Sequence, residues 1–245
     1  MRYYKPELAL GVLLAPQTER TDKFGGLPWG LPPERWPLCT HCGKPLSHLF
    51  ELEHHPERLD LGAPGRVAFV FQCNHDPGGC PTWESGSGAN AVLILEQSEI
   101  GHGLTEPPAP GAEIEPEARV ISWIALDDLV SEQDYHKFFD DDGLDSLPEE
   151  MVDRVPLVTK LGGVPRWIQY ASEAPGPPYR FAGQFDSYYQ FAGPAPDAGA
   201  IRLTAAEDDS GFRCDAANYG DAGVAYLFID ADPERPSGLF FWQCG

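Results

Sequence analysis

Four cysteines stand at spacings that can do chemistry. Cys39 and Cys42 bracket two residues in CTHC, and Cys73 and Cys80 bracket six in CNHDPGGC. A two-residue gap lets one turn point both sulfurs the same way, and a second pair fills the remaining corners of a tetrahedron, the arrangement thiolates give to zinc. The second pair is wider than usual; Pro77, Gly78 and Gly79 lie inside it, and the wider loop still allows the geometry. A ligand set of Cys39, Cys42, Cys73 and Cys80 is expected ahead of one that uses His41 or His75. Four thiolates close the coordination shell and leave no place for water or substrate, so the expected zinc is structural. The alternative is four reduced, buried thiols with no metal. Cys214 and Cys244 lie far apart and read as plain thiols.

Other signatures of catalysis are weak. GSGANA, from Gly86, resembles a dinucleotide loop, yet it leads into a strand pattern and offers the phosphate no helix N-terminus. The chain has no Walker loop, no nucleophile elbow and no His pair at metalloprotease spacing. His54 and His55 sit in a polar, acidic stretch and read as a solvated pair. DDDGLDSLPEE suggests calcium until Gly143 is set on the loop glycine, which puts Phe138 at the first ligand position. No catalytic residue is assigned, and the chain is expected not to be an enzyme.

A chain of 245 residues buries a sizeable core, so metal would reinforce it locally. With 26 Gly and 25 Pro, short strands and many turns are expected rather than long helices. No apolar run is long enough to span a bilayer, and MRYYKPELALGVLLAP has no convincing cleavage site, so a cytoplasmic protein with no membrane partner is expected. In that compartment six cysteines read as metal ligands plus spares rather than as disulfides. Net charge is −21, which repels nucleic acid and attracts basic proteins; solubility alone is the plainer explanation. From Asp127 to Asp153 eleven acids stand against Lys137 alone, a net −10. Asp127, Asp128, Asp134, Asp140, Asp141 and Asp142 are the candidate partner contacts in this stretch, which reads equally well as a solvated face.

The elements that would position the cysteines come from an internal similarity. KFGGLPW, Lys23 to Trp29, returns as KLGGVPRW, Lys160 to Trp167, and VAFVFQ, Val67 to Gln72, returns as VAYLFI, Val224 to Ile229. Each later motif leads through a turn-rich loop into another apolar run, AVLIL from Ala91 or LFFWQ from Leu239, which predicts a hairpin in each half. The fold class expected is α+β, mainly β: two similar β-rich halves, an internal duplication, packed as one compact unit with few helices and a structural zinc in the first half. The boundaries are 1–97 for the first repeat with its zinc site, 98–154 for a Pro-rich and acidic connection, and 155–245 for the second repeat. Leu126, Leu129, Val130 and Phe138 or Phe139 predict one amphipathic helix in the connection, stopped by Gly143. Trp29, Trp36, Trp167 and Trp242 read as core or core-edge packing.

TDKFGGLPW, LPPERWPLCTHCGKPLSHLFEL and VAFVFQC together resemble the YwqG-like family of bacterial proteins, and GQFDSYYQF with NYGDAGVAYLFI is similar to the C-terminal half of that family. Cys39, Cys42, Gly43, Pro45 and Leu46, behind Lys23, Gly25, Gly26 and Pro28, also look like the programmed cell death 2 group of eukaryotes. The usual bacterial members lack the cysteines, so this chain departs toward the eukaryotic pattern. The first resemblance implies an immunity protein that neutralises a cognate toxin by occlusion. The second implies a chaperone that holds a basic ribosomal protein, and an uncharacterised enzyme is the third alternative. The expected partner is a basic protein, with no nucleic acid and no membrane, and the chain itself a monomer or weak dimer.

Overall fold

The computed structural model describes residues 1–206 and 211–245. Among them ten strands form one sheet in the order β13-β12-β8-β7-β1-β6-β2-β3-β4-β5. Its middle is a ribbon of β1 (Arg2–Leu10) and β6 (Ala118–Asp127), paired antiparallel from Arg2 opposite Asp127 to Leu10 opposite Ala118. Outward from β6 come β2 (Lys23–Phe24), β3 (Ser47–Glu53), β4 (Val67–Gln72) and β5 (Asn90–Leu95). Outward from β1 come β7 (Lys160–Gly162), β8 (Arg180–Asp186), β12 (Val224–Asp230) and β13 (Ser237–Gln243). The chain is mainly β, and each flank takes as its inner neighbour the ribbon strand from the other part of the sequence.

The two flanks share their register. Lys23 lies opposite Glu51, Glu51 opposite Phe69 and Phe69 opposite Leu93; Lys160 lies opposite Gln184, Gln184 opposite Tyr226 and Tyr226 opposite Phe241. Both ladders slip by one residue at the same row, at Leu49 in β3 and at Ala182 in β8. Both expected hairpins form, β4 with β5 and β12 with β13. The glycine pairs of the repeated motif all have positive φ. At Gly25 a Cβ would lie 2.1 Å from the Pro116 carbonyl oxygen, so only glycine lets the chain pass the entry to β6.

Alternation along the strands sorts the core. Ala68 and Val70 of β4, with Ala225, Leu227 and Ile229 of β12, join one interior cluster, while Val67, Phe69 and Phe71, or Val224, Tyr226 and Phe228, face outward into separate clusters. Between β8 and β12 a small sheet, β10 (Leu203–Ala205), β11 (Gly211–Asp215) and β9 (Tyr188–Ala192) in that order, sends Tyr189, Phe191 and Phe212 into the interior cluster. The large sheet nearly closes, since β5 and β13 approach each other and the Asn90 side chain donates to the Phe240 carbonyl at 3.0 Å. Trp36 is buried, whereas Trp29, Trp167 and Trp242 are half-buried.

Two expectations need correction. The segment 98–154 is more than a connection, because it supplies β6 at the centre of the sheet, with Leu126 still in that strand. The single amphipathic helix is replaced by three short ones, α1 (Glu132–Tyr135), α2 (Asp141–Asp145) and α3 (Glu149–Arg154). Competing start signals explain the division. Ser131 accepts a hydrogen bond from the Asp134 amide and starts α1, Asp140 accepts from the Gly143 amide at 2.7 Å and starts α2, and Pro148 precedes α3. Leu129 takes φ 61 at the turn out of β6 and is 65% exposed, so it leaves the apolar face expected of it. No helix among the described residues is long and apolar enough to cross a membrane.

Candidate metal centre

Cys39 and Cys42 sit in the loop before β3, Cys73 directly follows β4, and Cys80 ends the first turn of the β4–β5 loop. Each position is fixed by backbone hydrogen bonds. The Cys39 amide donates to the Lys44 carbonyl and the Gly43 amide to the Cys39 carbonyl, both at 2.8 Å, closing a tight turn in which Gly43 has φ 69. The Cys73 amide extends the β4–β5 ladder by donating to the Ala89 carbonyl, and the Cys80 amide donates to the Asp76 carbonyl. Beneath the loops Trp36 meets Phe71 edge to face, at 5.5 Å between ring centres, and its indole N–H donates to the Leu46 carbonyl.

These turns bring together the four cysteines named from the sequence. Their sulfurs all lie within 4.8 Å of one another, and Cys42 and Cys73 are 3.6 Å apart. A zinc ion with four thiolates at 2.3 Å requires sulfurs about 3.8 Å apart, so the quartet is the size of a tetrahedral cage. All four cysteines are free, and Cys39, Cys73 and Cys80 are buried. His41 is exposed and contacts the Ser87 carbonyl instead. Cys214 is buried in the interior cluster and Cys244 lies near Gly220, both away from the quartet.

Burial and nearby donors act on the sulfurs in opposite directions. Burial pushes the Cys73 thiol up to about 11 and raises Cys80 further. At Cys42 burial also pushes upward, but the Lys44 amide and the neighbouring thiols donate to its sulfur and the net shift is downward. The His75 amide is likewise aimed at Cys73. Amides directed at buried sulfurs stabilise thiolate, and several thiolates in one dry place are tolerable only around a cation. The group can therefore hold a metal ion with all ligand positions filled by protein.

The six acids do not form one surface. Asp128 is 3% exposed and accepts from the Met1 amine at 2.7 Å, the Val130 amide at 3.1 Å and the Val164 amide at 3.0 Å. Its burial removes it from the candidate contacts. Asp127 is exposed but accepts from the same amine and from the Leu129 amide. Asp134 holds Lys137 and Asp140 caps α2, while Asp141 accepts from the Ala171 amide at 2.7 Å. Asp142 is exposed. His54 and His55 are half-buried rather than solvated, each accepting a backbone amide, from Leu61 and Glu57.

One polar cluster went unnoticed in the sequence. Lys23 is fully buried and donates to the Leu27 carbonyl, Gln17 and Glu117, with His48 and Glu51 beside it, each 1% exposed. Burial pushes Glu51 up to about 8 and His48 down to about 3. In the other flank Lys160 is also fully buried and donates to the Val164 carbonyl. The signal was the lysine at the head of both repeated motifs. A cleft of about 1090 Å³ lies between the flanks, lined among others by Glu57, Asp60, Tyr135, His136, Phe139 and Arg180. No protein-family model matches the chain, and no curated protein matches it.

Proposed function

We propose that the chain is a non-enzymatic binding protein whose acidic surface holds a basic polypeptide, with a structural zinc ion bound by Cys39, Cys42, Cys73 and Cys80. The observation that supports partner binding is the net charge of −21, a field that draws a cationic protein and speeds its capture. The first reading is an immunity protein that covers a cognate toxin, cytoplasmic and monomeric or weakly dimeric, in line with the YwqG-like resemblance. The cysteine motif supports a second reading, a chaperone for a basic ribosomal protein. An enzyme, the third, would have to use the cleft between the flanks. The shared strand order, register and slip of the two flanks support an origin by internal duplication.

The product of the adjacent open reading frame tests immunity most directly. Expressed alone it is expected to stop growth, and co-expressed with this chain it is expected to be harmless and to co-elute with it. A harmless neighbour, with a ribosomal protein co-eluting instead, replaces immunity by chaperoning.

A further inference from the structure

We infer that the free edge of β6, from Ile121 to Asp127, is a docking site for an extended basic segment of a partner polypeptide, which adds there as another strand. On one side β6 is paired with β1 from Ala118 to Asp127, with Ile121 bulged out of the ladder and the pairing regular from Ser122 onward. On the other side β2 covers only Ala118 and Arg119, and the Val120 amide donates to the Asp22 carbonyl. Beyond that point no strand among the described residues pairs with β6 on this side. The edge lies open, since Ile121 is 61% exposed, Ile124 40% and Leu126 39%.

An open edge with exposed β-branched residues templates another strand, and proteins usually block such edges with proline, lysine or a covering element. The ribbon shows both treatments. β1 pairs with β7 only at Tyr3 and Tyr4, yet its remaining edge contains Pro6 and has β9 packed against it. From Val120 to Asp127 β6 has neither proline nor lysine. Next to the edge, Arg58 lies over the Trp123 ring, and the Trp123 indole donates to Asp22, forming a shallow depression.

Charge decides the occupant. Two copies of this chain each carry −21 and repel one another. Near the edge Arg58 is paired with Asp22, Arg20 with Glu53 and Arg119 with Glu117, and Lys5 lies opposite Ile124; Glu7 and Asp127 are exposed, Glu7 accepting from the Ser122 hydroxyl and Asp127 from the Met1 amine. A strand that alternates lysine or arginine with apolar residues satisfies the backbone groups, covers Ile124 and Leu126, which share a face, and turns its cations to the face that carries Asp127. The inference rests on the proposed role as holder of a basic polypeptide and locates the contact.

A library of short random peptides displayed against the purified protein tests it. Enrichment of alternating basic and apolar sequences is expected. The synthesised winner should slow amide hydrogen exchange at Ile121–Asp127 and should lose binding when its own amides are N-methylated. The double variant Ile124→Lys, Leu126→Lys, checked for native circular dichroism, should bind it about tenfold more weakly. Basic winners that protect other amides and ignore the double variant overturn the edge as the site and leave the basic-partner reading standing. Winners with no basic bias overturn both. Protection of the edge that grows with protein concentration alone makes a second copy the occupant and overturns the inference.

Discussion

On the first flank Val67, Phe69 and Phe71 face outward beneath Trp36 and two loops joined at four cysteines. On the second, Val224, Tyr226 and Phe228 face outward beneath Trp167 and Phe139. Trp167 lies 4.5 Å from the Tyr226 ring and donates its indole N–H to the Phe138 carbonyl, so the 3-10 turn His136–Phe139, between α1 and α2, helps to close this face. The underlying strands match row by row, and the difference lies in the cover. On both flanks the cover supplies apolar side chains, Leu31, Trp36 and Leu46 on the first and Phe139, Trp167 and Ile168 on the second; only the first cover also brings four cysteines together. A metal ion held by this quartet, as proposed above, would tie the two loops together, and no catalytic demand is needed to explain it.

Removing the cross-link should therefore have the largest effect. The double variant Cys39→Ser, Cys42→Ser is expected to lose its metal and at least about 4 kcal/mol of stability, read by elemental analysis and by thermal unfolding. Hydrogen exchange should speed up in β4 and β5 and stay near native in β12 and β13. Metal-free native protein that unfolds at the same temperature as the variant would remove the metal from the comparison.

Trp167→Ala breaks the other cover. A large cavity beside Tyr226 costs about 3 kcal/mol, with metal content unchanged. Loss of metal in this variant would show that the faces are coupled and that the comparison treats them too separately. Trp36→Ala, by contrast, should both destabilise the protein and weaken metal retention, because Trp36 packs under the cysteine loops.

How far these features were visible in sequence follows from the distance over which each is encoded. The cysteine turns are local, and so are the hairpins, whose apolar runs are uninterrupted from Val67 to Phe71 and from Val224 to Ile229. The central ribbon is not local. β6 exposes residues on both faces and so lacks the alternation that marks a half-buried strand, and its partner β1 lies at the other end of the pairing, Arg2 opposite Asp127. Asp128 reads as one of many surface acids because the amine it holds belongs to Met1. Apolar spacing alone predicts one helix, because the capping residues Ser131 and Asp140 that divide it carry no apolar signal.

Within the matched rows one difference is chemical. Glu51 accepts from the Trp29 amide at 2.7 Å, and Gln184, its counterpart, accepts from the Arg166 amide at 2.8 Å. The folded state raises Glu51 from 4.5 to about 8, so between those values it holds a proton that the unfolded chain has lost, and stability falls as pH rises. His48, lowered from 6.5 to about 3, acts the opposite way, because between those values the unfolded chain holds the proton and stability rises with pH. The two oppose each other between pH 4.5 and 6.5; Glu115, which burial raises to about 7, acts with Glu51 up to that value, which leaves the window from about 7 to about 8 to Glu51. In that window the slope should reach about 1.4 kcal/mol per pH unit at most. Glu51→Gln, which copies the other flank, should flatten it, as measured by denaturant unfolding at several pH values. A slope that survives the substitution would assign it to another group.

The smallest effect on stability, and the sharpest on partner capture, should come from exposed acids. Asp140 and Asp141 are poor choices for charge reversal, since one caps α2 and the other holds the Ala171 amide; Asp140→Lys should itself cost about 1 kcal/mol. Asp142, Glu149 and Glu150 are exposed. Because they lie in the first turns of α2 and α3, reversing these three to lysine should cost about 1 kcal/mol. Association with a basic partner should slow and depend less on salt. Unchanged association kinetics would mean that the acidic helices only keep the chain in solution, and that capture depends on the strands.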